Sequence, residues 1–477
     1  MSSFFRLLPF FLYGIGLICL VQHNPFFWDS VQLASKHAHF FYENGLKWAA
    51  LPPEIDSGHP PILGYYLAVV WSVFGKSLPA AHWAMLPFVL TTIWMLYRLG
   101  LRLGGEKWGL WLLPIVLLDP VFAGQSVLVG PDLILVCCFL LATEGLLGRN
   151  RWFVSLGILG LCIISTRGMM TAGALFVWRF LIQSPNWRAI ILILKGLAPK
   201  KAFYQFVWDL VVFLPGFLAA FTFLYWHQVT AGWTGFHPDS PWSPAFQRVD
   251  TPGLFRNILI FGWRWLDFGR VAVWLIFIGL YWQYLRKKSP GPSRDMLLLL
   301  LCLLVFLSPS ALLYKNLSAH RYLLPAFLSL HLLVFQWIAH IPKQRFRKTI
   351  LFAILITVLS SGNFWIYPRG ISMDWDSTLA HLPYHRLRQD ALVFLEQNNV
   401  DFQTVGSAFP NLNTGENLLL DGDTRQFSEL DFKRNAYIFA SNIFNDFSEA
   451  DYVLLHRDWS LVYRSGYAGV WIEIYRR

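Results

Sequence analysis

MLLLLLCLLVFLSPSALLY, residues 296–314, is a run of 19 residues without a charged side chain. An α-helix rises about 1.5 Å per residue, so this run is long enough to cross the roughly 30 Å hydrocarbon core of a bilayer. A soluble domain seldom contains such a segment. We therefore predict a membrane-spanning helix here.

The whole chain has the composition of a membrane protein. Of its 477 residues, 55% are hydrophobic and 14% are charged, whereas soluble domains carry about 25% charged residues. Eleven apolar runs of this kind predict a polytopic α-helical membrane protein with about 11 transmembrane helices. The predicted spans lie near residues 4–22, 82–101, 108–124, 132–147, 152–166, 170–183, 206–228, 270–285, 296–314, 322–341 and 349–366, with a bend expected at Arg167-Gly168.

The positive net charge of the chain, +11, arises from the first 366 residues, which contain 29 basic and 13 acidic side chains, whereas residues 367–477 contain 15 acidic and 10 basic ones. Basic residues fall in every second link between the spans, which indicates that these links are cytoplasmic and that nucleic acid is not a partner. The N-terminus is then inside, and the remaining loops and the tail lie outside. For a bacterial inner membrane protein, that side is the periplasm. The basic links contain Arg98, Arg102 and Lys107; Arg149 and Arg151; Arg188, Lys195, Lys200 and Lys201; Arg286, Lys287, Lys288 and Arg294; and Lys343, Arg345, Arg347 and Lys348.

Two domains are expected: a transmembrane domain, residues 1–366, and a small soluble α+β domain outside the membrane, residues 367–477. Two outer loops of the first domain are long, residues 23–81 and 229–269; the second contains Trp233, His237, Pro238, Asp239, Trp242 and Arg248. Ile62–Phe74 follows two prolines and is predicted to be an interfacial helix. The tail pattern predicts a helix at 386–398 and strands at 404–408, 436–440, 452–455 and 470–475.

Charged residues at the outer ends of the spans are the candidates for a functional site, because ionisable groups there are costly without a partner or a role. Asp29 follows the first span, and His59 precedes two prolines that fix its backbone. Asp119 and Asp132 begin helices, so helix capping is the alternative role for both. An interfacial acid beside an aromatic belt is the alternative for Asp29.

Two arginines, Arg167 and Arg321, also lie at the predicted outer ends of spans. The rule that positive charges favour the cytoplasmic side would not place them there. Cations on this side suit an anionic head group, while snorkelling to the membrane surface is the alternative for Arg321.

The order of these motifs along the chain resembles that of the GT-C glycosyltransferases of the protein O-mannosyltransferase and aminoarabinose-transferase type. The resemblance extends to about residue 345 and is strongest before residue 170. Family members often carry two adjacent acids where this chain has Asp29-Ser30, and often a lysine where Arg167 stands. The motifs are Trp28-Asp29, Gly58-His59-Pro60-Pro61, Gly130-Pro131-Asp132, Thr166-Arg167-Gly168 and His320-Arg321-Tyr322-Leu323-Leu324-Pro325.

The resemblance implies an inverting transfer of a sugar from a polyprenyl-phosphate donor to a hydroxyl group of a protein, lipid or glycan, on the outer side of the membrane. A carboxylate such as Asp29 can deprotonate the acceptor, and arginines can stabilise the departing phosphate. We expect no metal cofactor, although Asp29, His59 and Asp132 could converge on a divalent cation. The expected catalytic residues are Asp29, Asp132 and His59, the donor phosphate-binding residues are Arg167, Arg321 and Tyr322, and possible acceptor or loop contacts are Glu54, Asp56 and His237.

Two other classes of protein fit the same composition. A transporter or flippase of a lipid-linked or anionic substrate also has many spans and buried charges. A membrane scaffold without catalytic activity is the third alternative. The aromatic outer loops, the absence of internal repeats and the soluble tail favour the transferase.

Overall fold

The computed structural model describes residues 3–183, 200–235, 237, 243–288, 290–342, 344–368, 371 and 373–477. Several residues of the predicted basic links and second outer loop lie outside the described residues, namely Arg188, Lys195, Pro238, Asp239, Trp242 and Lys343, as do the side chains of Lys200 and Lys201.

Most of the described chain is helical. The α-helices are Ser3–Val21, His37–Glu43, Ile62–Phe74, Leu78–Trp83, Leu86–Trp108, Leu112–Leu117, Pro120–Ser126, Pro131–Gly148, Arg151–Ile164, Thr166–Gln183, Lys200–Ala231, Thr251–Leu266, Val271–Leu285, Arg294–Leu313, Leu324–Ala339, Arg345–Gly362, Pro383–Gln397, Gly415–Leu419 and Glu449–Asp458. A π-helix covers Val31–Lys36, and short 3-10 turns include His320–Leu323 and Trp375–Ser377.

Five described helical segments are long and apolar enough to cross a membrane by themselves. The helix pair Thr251–Leu266 and Val271–Leu285, bent by 83°, meets the same criterion only as a pair. Predicted spans near 4–22 and 152–166 coincide with shorter apolar helices. The chain is therefore a polytopic α-helical membrane protein. The five segments are Leu78–Leu117, Pro131–Gly148, Val207–Ala231, Arg294–Leu313 and His320–Ala339.

The first of these segments is not a straight rod. Gly105 has a φ of 69°, a conformation that glycine adopts readily, and the helix breaks there. A Cβ atom on Gly100 would lie 2.1 Å from the carbonyl oxygen of Gly109. In a continuous helix these two residues would be about 13 Å apart, so the chain reverses at Gly105. The predicted spans 82–101 and 108–124 thus occupy two antiparallel segments.

Three local predictions can be compared with the observed helices. The helix that was predicted to be interfacial has the predicted bounds, Ile62–Phe74. The bend expected at Arg167-Gly168 lies instead at Ser165, which is extended between two helices. The second outer loop is not all loop: Thr251–Leu266 is a helix, because the Asp250 side chain caps it by accepting from the Gly253 N–H at 2.9 Å.

The C-terminal part contains five strands: β1 Val405–Ser407, β2 Ser428–Glu429, β3 Tyr437–Ser441, β4 Ser460–Tyr467 and β5 Val470–Arg476. They form one mixed sheet with the order β2-β1-β3-β5-β4. The strands β1 and β2 pair in parallel, as do β1 and β3, whereas β5 is antiparallel to both β3 and β4. The helix Pro383–Gln397 packs its buried side chains, including Leu387 and Leu395, into the same core as the apolar face of β5.

The predicted small α+β fold of the tail is confirmed, but one of its predicted strands is wrong. Residues 452–455 lie within the helix Glu449–Asp458. That helix begins with a capping box in which Ser448 Oγ accepts from the Asp451 N–H and Asp451 accepts from the Ser448 N–H. The strands β2 and β4 were not predicted.

The C-terminal part contacts the segment between the first two predicted spans. The carboxylate of Glu416 accepts from Lys76 and lies 2.9 Å from His39 Nε2. The Phe26 N–H donates to the Leu418 carbonyl at 2.9 Å. These contacts bring the tail close to Asp29.

Candidate active site

Asp29 lies where the chain turns after the first helix. Ser30 stabilises this turn, because its hydroxyl donates to the Phe27 carbonyl at 2.6 Å and accepts from the Phe27 N–H at 2.8 Å. The π-helix Val31–Lys36 follows, and its Leu33 lines the cavity beside Asp29. Asp29 is partly exposed and points toward Arg321.

Arg321 is the centre of a cluster of three carboxylates. Its Nη2 donates to Asp29 Oδ2 at 2.5 Å, its Nε lies 3.7 Å from Asp132 Oδ2, and its Nη1 contacts Asp376 Oδ2. Arg321 is buried. A buried guanidinium needs such partners, because an uncompensated charge inside the protein is costly.

Arg167 extends the cluster on the other side of Asp132. Its Nη1 donates to Asp132 Oδ1 at 2.6 Å, and its guanidinium lies 4.3 Å from the centre of the Tyr322 ring. Asp132 thus contacts both arginines and does not cap its helix, whose N-cap is Gly130. The capping alternative for Asp132 is therefore wrong.

The capping alternative is right for Asp119. Its Oδ1 accepts from the Val121 and Phe122 N–H groups at 3.0 and 3.2 Å, and it pairs through both oxygens with Arg270. Both side chains are fully buried. This pair joins two helices and lies apart from the cluster around Arg321.

His59 approaches the site from the first outer loop. The turn before it includes Gly58, which has a φ of 69° and donates its N–H to Asp56 at 2.8 Å. His59 Nδ1 lies 2.8 Å from the Thr166 hydroxyl. Burial lowers the pKa of His59 to about 4, and the charge of Arg167 lowers it in the same direction. The ring is therefore neutral at pH 7.

A cavity of about 340 Å³ opens beside these residues. Four predicted site residues line it: Asp29, His59, Arg167 and Tyr322. Asp132 and Arg321 do not line the cavity, but they pair with Arg167 and Asp29, which do. The rest of the wall is largely apolar and includes Leu33, Met170, Phe246, Pro309, Leu313 and Leu317.

The three possible acceptor contacts lie elsewhere. Glu54 is exposed, and Asp56 is buried against His227, whose Nε2 lies 2.9 Å from Asp56 Oδ2. His237 packs on Trp233, with ring centroids 5.4 Å apart. None of the three lines the cavity.

Two acids that the sequence analysis missed belong to the site. Asp374 and Asp376 follow the last long helix and pair with neighbouring residues, Asp374 with His320 at 2.6 Å and Asp376 with Arg321. The main-chain carbonyl of Asp376 also accepts from Gln125 Nε2 at 2.8 Å. An aromatic residue next to an acid, the same combination as Trp28-Asp29, was the available signal.

The charges around Asp374 have a clear electrostatic effect. Burial disfavours its ionised form, but Arg264 and His320 together hold the pKa of Asp374 well below its usual range. His320 also lies 2.9 Å from Asp267 through Nε2. The contacts of Asp374 therefore fix the position of the segment that contains Asp376.

Within the described part of the chain, no group of three or more His, Cys, Asp or Glu side chains is arranged to hold a metal ion. The guanidinium of Arg321 occupies the space between Asp29 and Asp132, where a cation would have to bind. The expectation that no metal cofactor takes part in the reaction stays a prediction.

No protein-family model matches the chain, and no curated protein matches its sequence. The fold is similar to the crystal structure of ArnT from Cupriavidus metallidurans bound to undecaprenyl phosphate, with a TM-score of 0.54 and 11% identity over 99% of this chain and 98% of that chain. The apo state of that protein gives a TM-score of 0.50 at the same identity and coverage. This likeness confirms the predicted fold, a polytopic helical membrane protein with a small C-terminal α+β part.

Proposed function

We propose that this chain is a membrane glycosyltransferase that moves a sugar from a polyprenyl-phosphate donor to an acceptor hydroxyl group. The observation that carries the proposal is the cavity in which the Asp29 carboxylate and the Arg167 guanidinium line the same space beside an apolar wall. The similar ArnT structure, which contains undecaprenyl phosphate, supports this class of donor.

Arg167 is the proposed phosphate ligand. Its hydrogen bonds with described residues, to Asp132 and to the Arg321 carbonyl, both use Nη1. Nη2 and Nε remain for phosphate oxygens, which match the fork of a guanidinium. The Tyr322 ring packs against the guanidinium, and the apolar wall offers a surface for the lipid chain.

Arg321 was predicted as a second phosphate ligand, but its contacts favour a different role. Its three nitrogens face Asp29, Asp132 and Asp376, and the side chain does not line the cavity. We propose that Arg321 positions Asp29, and that Asp132 positions Arg167 and Arg321.

In the proposed reaction the acceptor oxygen attacks the anomeric carbon of the sugar. A new carbon–oxygen bond forms while the bond to the phosphate breaks, and the electron pair leaves on the phosphate oxygen. Asp29 takes the proton of the acceptor hydroxyl. Arg167 stabilises the charge that grows on the phosphate. A single displacement of this kind inverts the configuration of the sugar.

His59 contributes a hydrogen bond rather than a charge, since its ring is neutral at pH 7. When the Thr166 hydroxyl donates a hydrogen bond to Nδ1, the ring proton lies on Nε2. Nε2 can then donate a hydrogen bond to an oxygen of the lipid-linked sugar or of the acceptor molecule. We place the reaction on the outer, periplasmic side of the membrane, because the basic links indicate that this edge faces outward. We expect transfer to survive EDTA, since Arg167 supplies the positive charge.

The test uses the full chain in proteoliposomes with a labelled undecaprenyl-phosphate sugar and a membrane lipid extract as acceptor. Asp29→Asn should lower turnover by about 100-fold or more while donor binding survives, because the amide cannot take a proton. Arg167→Ala should weaken donor binding about 10- to 100-fold, since it removes charged hydrogen bonds. Glu43→Gln changes an exposed acid of the same loop and should behave as wild type.

Equal loss of donor binding in Asp29→Asn and Arg167→Ala would reverse the proposed roles. Full transfer by Asp29→Asn would remove Asp29 as the base. Movement of the labelled lipid across the bilayer without a sugar product would instead identify the chain as a carrier, the alternative class.

A further inference from the structure

A second cavity of about 340 Å³ lies far from the candidate active site. Among the described residues, the arginines Arg149, Arg151 and Arg179 and the carboxylate of Asp209 line it. The helix Pro131–Gly148 connects the two regions, with Asp132 in its first turn and Arg149 as its C-cap. Its 18 residues span about 27 Å. The second cavity therefore belongs to the opposite edge of the membrane domain.

Arg149 has an unusual backbone conformation for an arginine. It is left-handed, with a φ of 56° and a ψ of 32°, at a helix end where glycine is the favoured residue. Its side chain makes no ion pair or hydrogen bond with the described part of the chain. The guanidinium of Arg149 is exposed at the wall of the cavity, where it is available to a ligand, and the left-handed backbone of a non-glycine residue is a feature often found at functional sites.

The other two arginines are held in place by neighbours from the helix Lys200–Ala231. The guanidinium of Arg151 lies 4.6 Å from the centre of the Trp208 ring. Arg179 donates through Nε and Nη2 to Asp209 Oδ1, both at 3.3 Å. Among the described lining residues, three guanidinium groups and one carboxylate give an excess of positive charge.

The inner wall of the cavity is apolar and includes Leu146, Val154, Val212 and Phe213. A soluble phosphate compound would use the arginines but not this surface. A membrane phospholipid would use both, with its head group at the rim and an acyl chain along the wall.

We propose that this cavity binds the phosphate head group of an anionic membrane phospholipid. The three arginines contact the phosphate oxygens, as guanidinium groups do with high geometric specificity. Because the basic link that contains Arg149 and Arg151 is predicted to be cytoplasmic, the lipid would come from the inner leaflet. This site is separate from sugar transfer and does not depend on it.

The experiment measures the melting temperature of the purified full chain in detergent with phosphatidylglycerol, phosphatidylcholine or inorganic phosphate. Wild type should gain about 3 °C or more with phosphatidylglycerol alone, because a ligand that binds the folded state stabilises it. Arg149→Gly should match or exceed wild type without lipid, since glycine suits the left-handed position, and should lose most of the lipid shift. Arg149→Gln should lose the shift as well.

Arg286→Ala is the matched control. Arg286 belongs to another predicted cytoplasmic link and lies 4.5 Å from the Trp282 ring centre, but it does not line the cavity. This variant should keep the full phosphatidylglycerol shift.

Three results would overturn the proposal: a wild type that does not respond to phosphatidylglycerol, a full shift in both Arg149 variants, or an equal shift with inorganic phosphate, which would indicate a soluble ligand. Sugar transfer is not part of the measurement, so each outcome leaves the proposed function unchanged.

Discussion

Replacing Asp376 by asparagine tests whether the tail completes the candidate active site. Asp376 contacts Nη1 of Arg321, and the same guanidinium holds Asp29 at 2.5 Å through Nη2. The substitution removes one negative charge and keeps an oxygen of similar position. Arg321 should then shift toward its two remaining carboxylates and move Asp29 from its position.

The magnitude follows from the partners that remain. Breaking an isolated buried ion pair costs about 3–5 kcal/mol. Arg321 keeps Asp29 and Asp132, and the asparagine oxygen can still accept a hydrogen bond, so we expect about 1.5–2 kcal/mol. If this loss raises the activation free energy by the same amount, kcat falls roughly 10- to 30-fold. The KM for the donor should change little, because Arg167 makes no contact with Asp376.

The assay is the proteoliposome transfer reaction at varied donor concentration. Asp390→Asn, which changes an exposed acid of the same C-terminal part, is the control for the loss of one carboxylate. A raised donor KM with unchanged kcat would mean that Asp376 serves donor binding. Wild-type values for both constants would refute the positioning role of the Asp376–Arg321 contact.

Two further predictions concern stability and orientation. Burial lowers the pKa values of His37 and His381 from 6.5 to about 4, so their neutral forms stabilise the fold fully above pH 6.5 and this contribution, up to about 3 kcal/mol each, is lost as the pH falls toward 4. The melting temperature should therefore decrease from pH 7 to pH 4.5, less steeply in His381→Gln, and a flat profile would contradict the argument. In intact cells a cysteine at Asp390 should react with an impermeant reagent and one at Lys288 should not; the reverse pattern would invert the predicted topology.

The sequence was sufficient for those site residues that stand at the end of an apolar run. Asp29, Asp132 and Arg167 are charges beside long uncharged segments, where the cost of an ionisable group makes each one conspicuous. In the structure Arg167 pairs with Asp132, and Arg321 lies between Asp132 and Asp29. The expected convergence was that of Asp29, His59 and Asp132, and the ion-pair partner of each side chain was not predicted.

The tail acids could not be found in this way. Asp376 is one of 15 acidic residues in a polar segment, where a carboxylate normally costs nothing in water. Its importance comes from tertiary contacts with residues more than fifty positions away, such as Gln125 and Arg321. The helix Glu449–Asp458 was mistaken for a strand for a different reason: the apolar run at 452–455 outweighed the cap formed by Ser448 and Asp451.

Burial distinguishes the roles of the three carboxylates around Arg321. The side chains of Asp132 and Asp376 are 6% and 7% exposed, whereas that of Asp29 is 28% exposed and lines the cavity. A general base must come within hydrogen-bond distance of the proton that it removes. An acceptor in the cavity can approach Asp29, but it cannot approach the other two without displacing Arg321. This difference supports the proposal that Asp29 is the base, while Asp132 and Asp376 balance the charge of Arg321.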